Sequence, residues 1–202
     1  LELTGNGDPF YKPEIKQFLD QISENDLSNL TIRFITNGQL LNERRFDQLK
    51  IMNLKNLIIS VSIDAASQQT YEYIRRGGKW ARLVDNMSML GKNRQKGIIS
   101  KLQTSFCVMK RNIDEMLDFV ELCRKWNCDE IEFQRIFGSV AGRENIFDNL
   151  DHNSLRKLKN VIENPVFNEP WIKASSILSF FEDNKSPTSK FTEIKSSVNV
   201  SE

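Results

Sequence analysis

The stretch IISVSIDAASQQTYEYIRRGGKW, residues 58–80, decides how the rest of the chain is interpreted. Apolar and polar side chains alternate along its first half with a period of two, which predicts a β-strand over Ile58–Asp64. The apolar side carries Leu57, Ile59, Val61 and Ile63, and the polar side carries Ser60, Ser62 and Asp64. Helical segments flank this strand, so it fits a βαβ crossover whose strands are covered by helices. Polar side chains on such a strand predict a polar lumen or cleft.

The second half of the stretch places charged and flexible residues just beyond the strand. Asp64 is followed by a short helical run over Gln68–Arg75, then by Arg76 and the pair Gly77-Gly78. Hydroxyls, a carboxylate and a guanidinium at one strand end form a candidate small-molecule site. The alternative is a structural strand followed by a solvated arginine pair.

The same strand-then-helix unit repeats along the chain. We predict five strands, over residues 1–4, 30–35, 58–64, 98–109 and 130–136, with intervening helices over 13–21, 42–52, 68–75, 81–96 and one that reaches residue 126. Asn112 or Asp114 is a candidate cap for that last helix. Five βα units of this length predict parallel strands curled into a partial or whole barrel.

Ligands bind at the carboxyl ends of strands in both parallel sheets and barrels. Residues near those ends are Asp8, Thr36, Asn37, Asp64, Cys107 and Arg135. After Ile136 the regular alternation of strands and helices ends. We predict a helical extension over 138–181, with a helix over 149–162. A tail rich in Ser, Lys, Asn and Thr follows over 182–202, which we predict to be mobile or disordered.

Composition excludes several classes of protein. A net charge of +1 argues against a general nucleic-acid binder, and the sequence has no apolar run long enough for a membrane span. Three cysteines at no disulfide-framework spacing suit a reducing compartment, so we expect a cytoplasmic protein. The chain begins at Leu1, inside a predicted strand, and we therefore expect it to be cut from a longer protein.

Three strand-end motifs occur in order: LTGNGDPF, ITNGQLL and VSIDAASQQTYEYIRRGG. Together they resemble the radical S-adenosylmethionine (radical SAM) superfamily, over about residues 1–137. The resemblance implies an α/β fold, a partial (βα)₆ TIM-like barrel of which this chain supplies strands two to six. It also implies S-adenosylmethionine as cofactor. In that family a [4Fe–4S] cluster reductively cleaves the cofactor to a 5′-deoxyadenosyl radical, which abstracts hydrogen from a substrate.

The resemblance also implies roles for individual residues. Gly7 and Asp8 match the turn that binds the cofactor's amino group, and Ser62 matches a residue that contacts its carboxylate or ribose. Arg75, in preference to Arg76, matches the arginine that pairs with that carboxylate, and residues 134–136 would meet the adenine. The full predicted cofactor-binding set is Gly7, Asp8, Thr36, Asn37, Ser62, Asp64, Arg75, Gln134 and Ile136. No catalytic residue is assigned.

One departure from the family pattern concerns the metal. The family's cluster loop, Cys-x₃-Cys-x₂-Cys, is absent from this sequence, and the strand before it is also absent. Cys107, Cys123 and Cys128 are predicted to be buried structural residues, and His152, the single histidine, to lie near a helix start. We therefore predict no metal site here, a cluster in the parent protein only, and no activity of this chain by itself. An external electron donor and a small-molecule or peptide substrate are the expected partners.

Two other functions remain open from the sequence. A degenerate, cluster-free barrel could hold a nucleotide-like ligand or a partner protein. A conventional (βα)-barrel lyase could use Lys101 or Lys110 at a strand end, although neither lies beside an obvious activating group.

Overall fold

The computed structural model describes residues 1–4, 7–11, 13–48, 54 and 56–183. Six parallel strands form one sheet in chain order. The strands are β1 (Glu2–Leu3), β2 (Thr31–Thr36), β3 (Asn56–Ser62), β4 (Lys101–Val108), β5 (Glu130–Arg135) and β6 (Ile172–Lys173). The helices are α1 (Pro13–Gln21), α2 (Glu24–Asn29), α3 (Glu43–Gln48), α4 (Gln68–Ile74), α5 (Trp80–Gln95), α6 (Met116–Lys125), α7 (His152–Ile162) and α8 (Ser175–Asp183). The predicted α/β class with parallel strands is confirmed.

The sheet has one covered face and one partly open face, as the alternation predicts. On β3 and β4 the covered row is fully buried. That row comprises Leu57, Ile59, Val61, Leu102, Thr104, Phe106 and Val108. Helices α5 and α6 pack on it, with the Phe106 and Phe119 rings 4.9 Å apart. The polar rows of β3, β4 and β5 therefore lie on the face that the helices leave free.

The helices begin and end where their local sequences indicate. Ser67 caps α4, because its hydroxyl accepts a hydrogen bond from the Thr70 backbone N–H. Helix α5 ends before Gly97, whose φ of +75° suits a residue just past a helix terminus. The helical spacing of Ile15, Phe18, Leu19 and Ile22 predicts that these four residues share the buried face of α1, but Phe18 is 43% exposed, whereas Leu19 is buried. The short α1 thus buries a narrower stripe than its pattern predicts.

The C-terminal part differs from the predicted helical extension. Ile172–Lys173 adds a sixth parallel strand beside β5, with Ile131 opposite Ile172. A two-residue strand is too short to produce a readable alternation, which is why the sequence did not reveal it. Helix α7 begins at His152, because the Asp151 carboxylate accepts a hydrogen bond from the Ser154 N–H and so caps the helix. The predicted end of the second helix (49–52) and most of the predicted tail lie outside the described residues.

The division into barrel, extension and tail remains a prediction. Within the described ranges, no helix has both the length and the apolar character needed to cross a membrane.

Candidate functional site

The carboxyl ends of the strands carry the predicted site residues in two hydrogen-bonded groups. One group joins the ends of β1 and β2, and the other joins the ends of β3, β4 and β5. The two groups meet at a cleft that Asn37 and Arg75 both line.

Asp8 connects the first group. Its Oδ2 accepts hydrogen bonds from the Thr36 hydroxyl at 2.6 Å and from the Asn37 N–H at 2.8 Å, and its Oδ1 accepts one from the Phe10 N–H at 3.0 Å. Gly7 precedes it with φ of +105°, which lets the chain turn after β1. The carboxylate thus fixes the ends of two strands, and Oδ1 retains capacity for another donor.

Asp64 and Arg75 form the centre of the second group. Arg75 Nη2 lies 2.5 Å from Asp64 Oδ2, and Asp64 Oδ1 accepts the Cys107 N–H at 2.8 Å. Burial raises the pKa of Asp64, while the Arg75 charge and these hydrogen bonds oppose that rise. Asp64 also has φ of +67°, a conformation that non-glycine residues seldom adopt, so its contacts hold a strained turn in place.

The pairing of Arg75 with Asp64 modifies the predicted role of each residue. Arg75 is expected from the resemblance to pair with a cofactor carboxylate, yet in the structure a protein carboxylate occupies one side of its guanidinium. Its Nε is buried and has no hydrogen-bond partner among the described residues. Arg75 therefore has donors left for a ligand, but Asp64 orients it and is not free to act as a ligand group.

Two residues that support this group are not in the predicted set. The buried Asn112 amide donates to the Asp64 and Cys107 carbonyls, both at 2.9 Å, and its Oδ1 accepts the Met109 N–H at 2.7 Å. Asn112, a predicted candidate cap, occupies the cap position of the 3₁₀ turn Ile113–Glu115 that leads into α6, but its side chain makes no capping hydrogen bond and fastens the β3 and β4 ends together. Asp114 does not cap α6 either, since Glu115 occupies the cap position.

Glu115 instead fixes the start of α4. Its Oε2 accepts the Ala66 and Ser67 N–H groups at 2.6 and 3.1 Å, and its Oε1 accepts the Ser67 and Thr70 hydroxyls. Because α4 carries Arg75 at its C-terminal end, Glu115 indirectly positions that guanidinium. Only the fold reveals this, since Glu115 lies 45 to 49 residues from these partners.

The remaining predicted residues line the open face. Ser62 lies opposite Ser105, whose hydroxyl donates to it at 3.1 Å, and Cys107 lies opposite Gln134 with Sγ 3.9 Å from Oε1. Ile136 lines a cleft of about 460 Å³ together with Cys107 and Gln134. Successive strands thus present small polar side chains at one level of the sheet.

Arg135 forms one wall of that cleft. Its guanidinium carbon lies 5.0 to 5.5 Å from three ring centroids, those of Phe137, Phe147 and Phe180. Such contacts are cation–π interactions, which hold a guanidinium without an acidic partner. Helix α8 and the residues that follow β5 therefore close one side of the open face.

The cysteines do not fit an iron–sulfur cluster. Cys107 lies in the partly open row of β4, whereas Cys123 contacts Thr104, in the covered row, at 3.3 Å. Cys128 neighbours Cys123, and this contact together with burial raises its pKa well above the usual value. Cys107 on β4 and Cys123 on α6 are therefore on opposite sides of the sheet, and their thiolates cannot converge on one cluster. Among the described residues no group of metal-binding side chains is found, and His152 lies exposed at the first turn of α7.

Cys107 differs from the other two cysteines. It was predicted to be buried and structural, but it is only half-buried and lines the cleft beside β5. Desolvation raises its pKa to about 11, and the Asp64 charge adds to that rise.

The lysines proposed for a lyase do not suit that role. Lys101 lies at the amino end of β4, opposite to the site, and its Nζ is 2.9 Å from Glu130. Lys110 is exposed and pairs with Asp151 at 2.7 Å. A Schiff-base lysine needs a lowered pKa, which an ion pair does not provide.

The chain is similar to proteins of known class. It is 27% identical over 165 residues to GTP 3′,8-cyclase of Lactiplantibacillus plantarum, covering 77% of this chain and 47% of that protein. The chain therefore spans about half the length of the curated relatives it matches. The structure of Streptococcus suis SuiB bound to S-adenosylmethionine superposes with a TM-score of 0.59 at 14% identity, covering 83% of this chain and 35% of SuiB. The structure of TYW1 with a lysine–pyruvate adduct bound superposes with a TM-score of 0.54 at 20% identity, covering 81% of this chain and 49% of TYW1.

These structural similarities show that the partial barrel fold is shared. The family model of the radical SAM superfamily matches residues 3–123, which is more than half of the chain. That range includes Asp8, Asp64 and Arg75. The chain belongs to the radical SAM superfamily.

Proposed function

We propose that this chain binds S-adenosylmethionine at the carboxyl ends of β1 to β5, as part of a radical SAM enzyme. The observation that carries the proposal is the row of polar side chains at these ends, joined by hydrogen bonds on a face that the helices leave free. In this family the cofactor, next to a reduced [4Fe–4S] cluster, supplies a radical that abstracts hydrogen. The residues of this chain would bind and orient the cofactor.

Asp8 and Arg75 would bind the methionine part. Oδ1 of Asp8 has one described donor and can accept a second from an ammonium group. The guanidinium of Arg75 is turned by Asp64 and its side chain is 30% exposed, so it can also donate to a carboxylate. Thr36 and Asn37 would hold Asp8 and would not contact the ligand through the groups that bind Asp8.

The nucleoside part would lie over β3 to β5. Ser62 offers a hydroxyl to a ribose, and the residues from Gln134 to Ile136 offer backbone and amide groups to an adenine. These assignments follow from the residue positions and from the family resemblance together.

The chain by itself is proposed to be inactive. Cys107 lies on the open face of β4, whereas Cys123, on α6, packs against the covered face, so these cysteines cannot jointly hold a cluster. Cluster ligands would come from another segment. An external electron donor, a cytoplasmic location and a small-molecule or peptide substrate are part of the same proposal.

Calorimetric titration of the 202-residue chain with S-adenosylmethionine tests the site. We expect saturable binding, weakened by roughly 1–3 kcal/mol in Asp8→Ala and in Arg75→Ala, since each removes a charged hydrogen bond. Arg75→Lys keeps a positive charge beside Asp64 but loses the two parallel N–H donors of the guanidinium. This variant replaces Arg75→Ala in the titration if Arg75→Ala does not fold. Arg156→Ala on α7 is the control. Binding unchanged in all three site variants would contradict the assignment.

A second candidate is a cluster-free module for nucleotide-like ligands. The separated cysteines favour it, since they leave the described residues without a cluster-binding set. The two candidates differ in what the site recognises. Contacts to the methionine part should make S-adenosylmethionine bind at least about tenfold more tightly than adenosine, a difference of about 1.4 kcal/mol. Equal affinities would favour the second candidate.

A further inference from the structure

Two adjoining clefts at the rim of the sheet are lined by arginines. The first, of about 490 Å³, includes Arg75, Arg76 and Arg82, and the second, of about 540 Å³, includes Arg44, Arg45 and again Arg82. Gln39 and Leu40 line both, so the clefts form one continuous groove, here called the arginine groove. No carboxylate lines either cleft within the described part of the chain.

Most of these arginines form no ion pair within the described part of the chain. Arg44, Arg76 and Arg82 are exposed and make no hydrogen bond or ion pair with any described residue. Arg75 is paired with Asp64, and the Arg45 guanidinium donates to the Phe10 carbonyl and has no carboxylate partner among the described residues. Carboxylates of Glu43 and Asp85 line the next cavity along the surface, which shares Arg82, so Arg82 has acidic neighbours at that edge of the groove. The whole chain carries a net charge of only +1.

The groove has a rigid frame. Gln39 accepts the Lys79 N–H at 2.9 Å and donates to the Tyr71 hydroxyl at 2.9 Å and to the Lys79 carbonyl at 3.1 Å. The buried Asn86 amide donates to the Gly38 carbonyl at 2.7 Å. These bonds fasten the loop after β2 to the turn between α4 and α5. The elements that carry Arg75, Arg76 and Arg82 are therefore fixed to the loop after β2 before any ligand binds.

From these observations we infer that the arginine groove binds a small phosphorylated molecule with more than one phosphate. Guanidinium forks match phosphate oxygens in pairs, which an ammonium group cannot do. Arginines spread over two adjoining clefts suit a ligand with several anionic groups. Leu40 and Tyr71 are the large apolar side chains of the lining, too few to seat the side chains of a peptide. The groove shares Arg75 with the proposed cofactor site. The inference does not rest on the cofactor proposal, because Arg44, Arg45, Arg76 and Arg82 are outside the predicted cofactor-binding set.

Sodium tripolyphosphate is the probe, titrated calorimetrically into the 202-residue chain at constant ionic strength. We expect saturable binding that weakens at least tenfold in the double variant Arg76→Gln/Arg82→Gln. Arg143→Gln/Arg156→Gln removes the same charge from exposed arginines elsewhere and should change the affinity less than twofold. Arg75 stays intact in both variants, so titration of the same proteins with S-adenosylmethionine reports the cofactor site separately.

Three outcomes would overturn the inference. They are the absence of saturable tripolyphosphate binding, equal weakening in the two double variants, and binding of hexaglutamate as tight as that of tripolyphosphate. The last would identify an acidic peptide as the ligand. Because all four substituted side chains are exposed, we expect both variants to fold, and thermal melting checks this.

Discussion

Arg75 Nη2 lies 2.5 Å from Asp64 Oδ2, and the Asp64 side chain is only 5% exposed. This pair joins the end of β3 to the C-terminal end of α4 across a turn in which Asp64 has a positive φ. A buried carboxylate held in this way is stable only while its partner is present.

The first prediction concerns that pair. Arg75→Gln should lower the free energy of unfolding by about 2–4 kcal/mol, because it leaves the Asp64 charge buried without a partner. Asp64→Asn in the same protein should restore part of the loss, since a neutral amide has no charge to desolvate. Urea denaturation of the two single variants and the double variant gives the coupling energy. Strictly additive losses would show that the pair contributes no mutual stabilisation.

The second prediction concerns Cys107 and pH. Its pKa is raised from 9.0 to about 11, so at pH 8 its thiolate fraction should be about a hundredfold below that of an ordinary thiol. Alkylation by iodoacetamide, followed by mass spectrometry, should accelerate about tenfold per pH unit up to roughly pH 10. An ordinary thiol levels off earlier, near its own pKa.

The Asp64 charge contributes to that rise, so Asp64→Asn should accelerate Cys107 alkylation at pH 8. The other two cysteines serve as internal comparisons, because Cys123 and Cys128 lie away from Asp64 and should keep their rates. A plateau in the Cys107 rate below pH 9 would contradict the assignment.

The third prediction concerns Glu115. Glu115→Ala should cost about 1.5–3 kcal/mol of stability, because two backbone N–H groups and two hydroxyls at the start of α4 lose a charged acceptor. Glu121→Ala, on the exposed face of α6, is the matched control and should change stability by less than about 0.5 kcal/mol. Thermal or urea unfolding measures both. Similar small effects would mean that the α4 start does not depend on this carboxylate.

The fourth prediction compares two glycines of positive φ. A Cβ at Gly38 would lie 2.8 Å from Val61 Cγ1 and 2.9 Å from Leu83 Cδ1, and φ is +74° there. Gly38→Ala should therefore cost about 2–4 kcal/mol, the sum of backbone strain and overpacking. Gly77 has φ of +83° but open space around its Cα, so Gly77→Ala should cost only about 1–2 kcal/mol. Equal unfolding midpoints for the two variants would contradict the overpacking argument.

Local sequence predicted the strands well where alternation was long. The two rows of β3 were assigned to the correct faces, because a period of two leaves only two choices and burial selects one. The two-residue β6 was not predicted, and Phe18 was assigned to the buried face of α1 although it is exposed. Both errors arise because short elements provide too few positions to define a period.

The sequence by itself determined the βα order, the polar open face and the strand ends near which Asp8 and Asp64 lie, since these depend on near neighbours along the chain. Only the tertiary structure decided which partners those side chains have. Asp8 with Thr36, Asp64 with Cys107 and Glu115 with Thr70 are hydrogen-bonded across 28 to 45 residues. Such contacts form because parallel strands bring their carboxyl ends together, and no periodicity along the chain encodes which distant groups then meet.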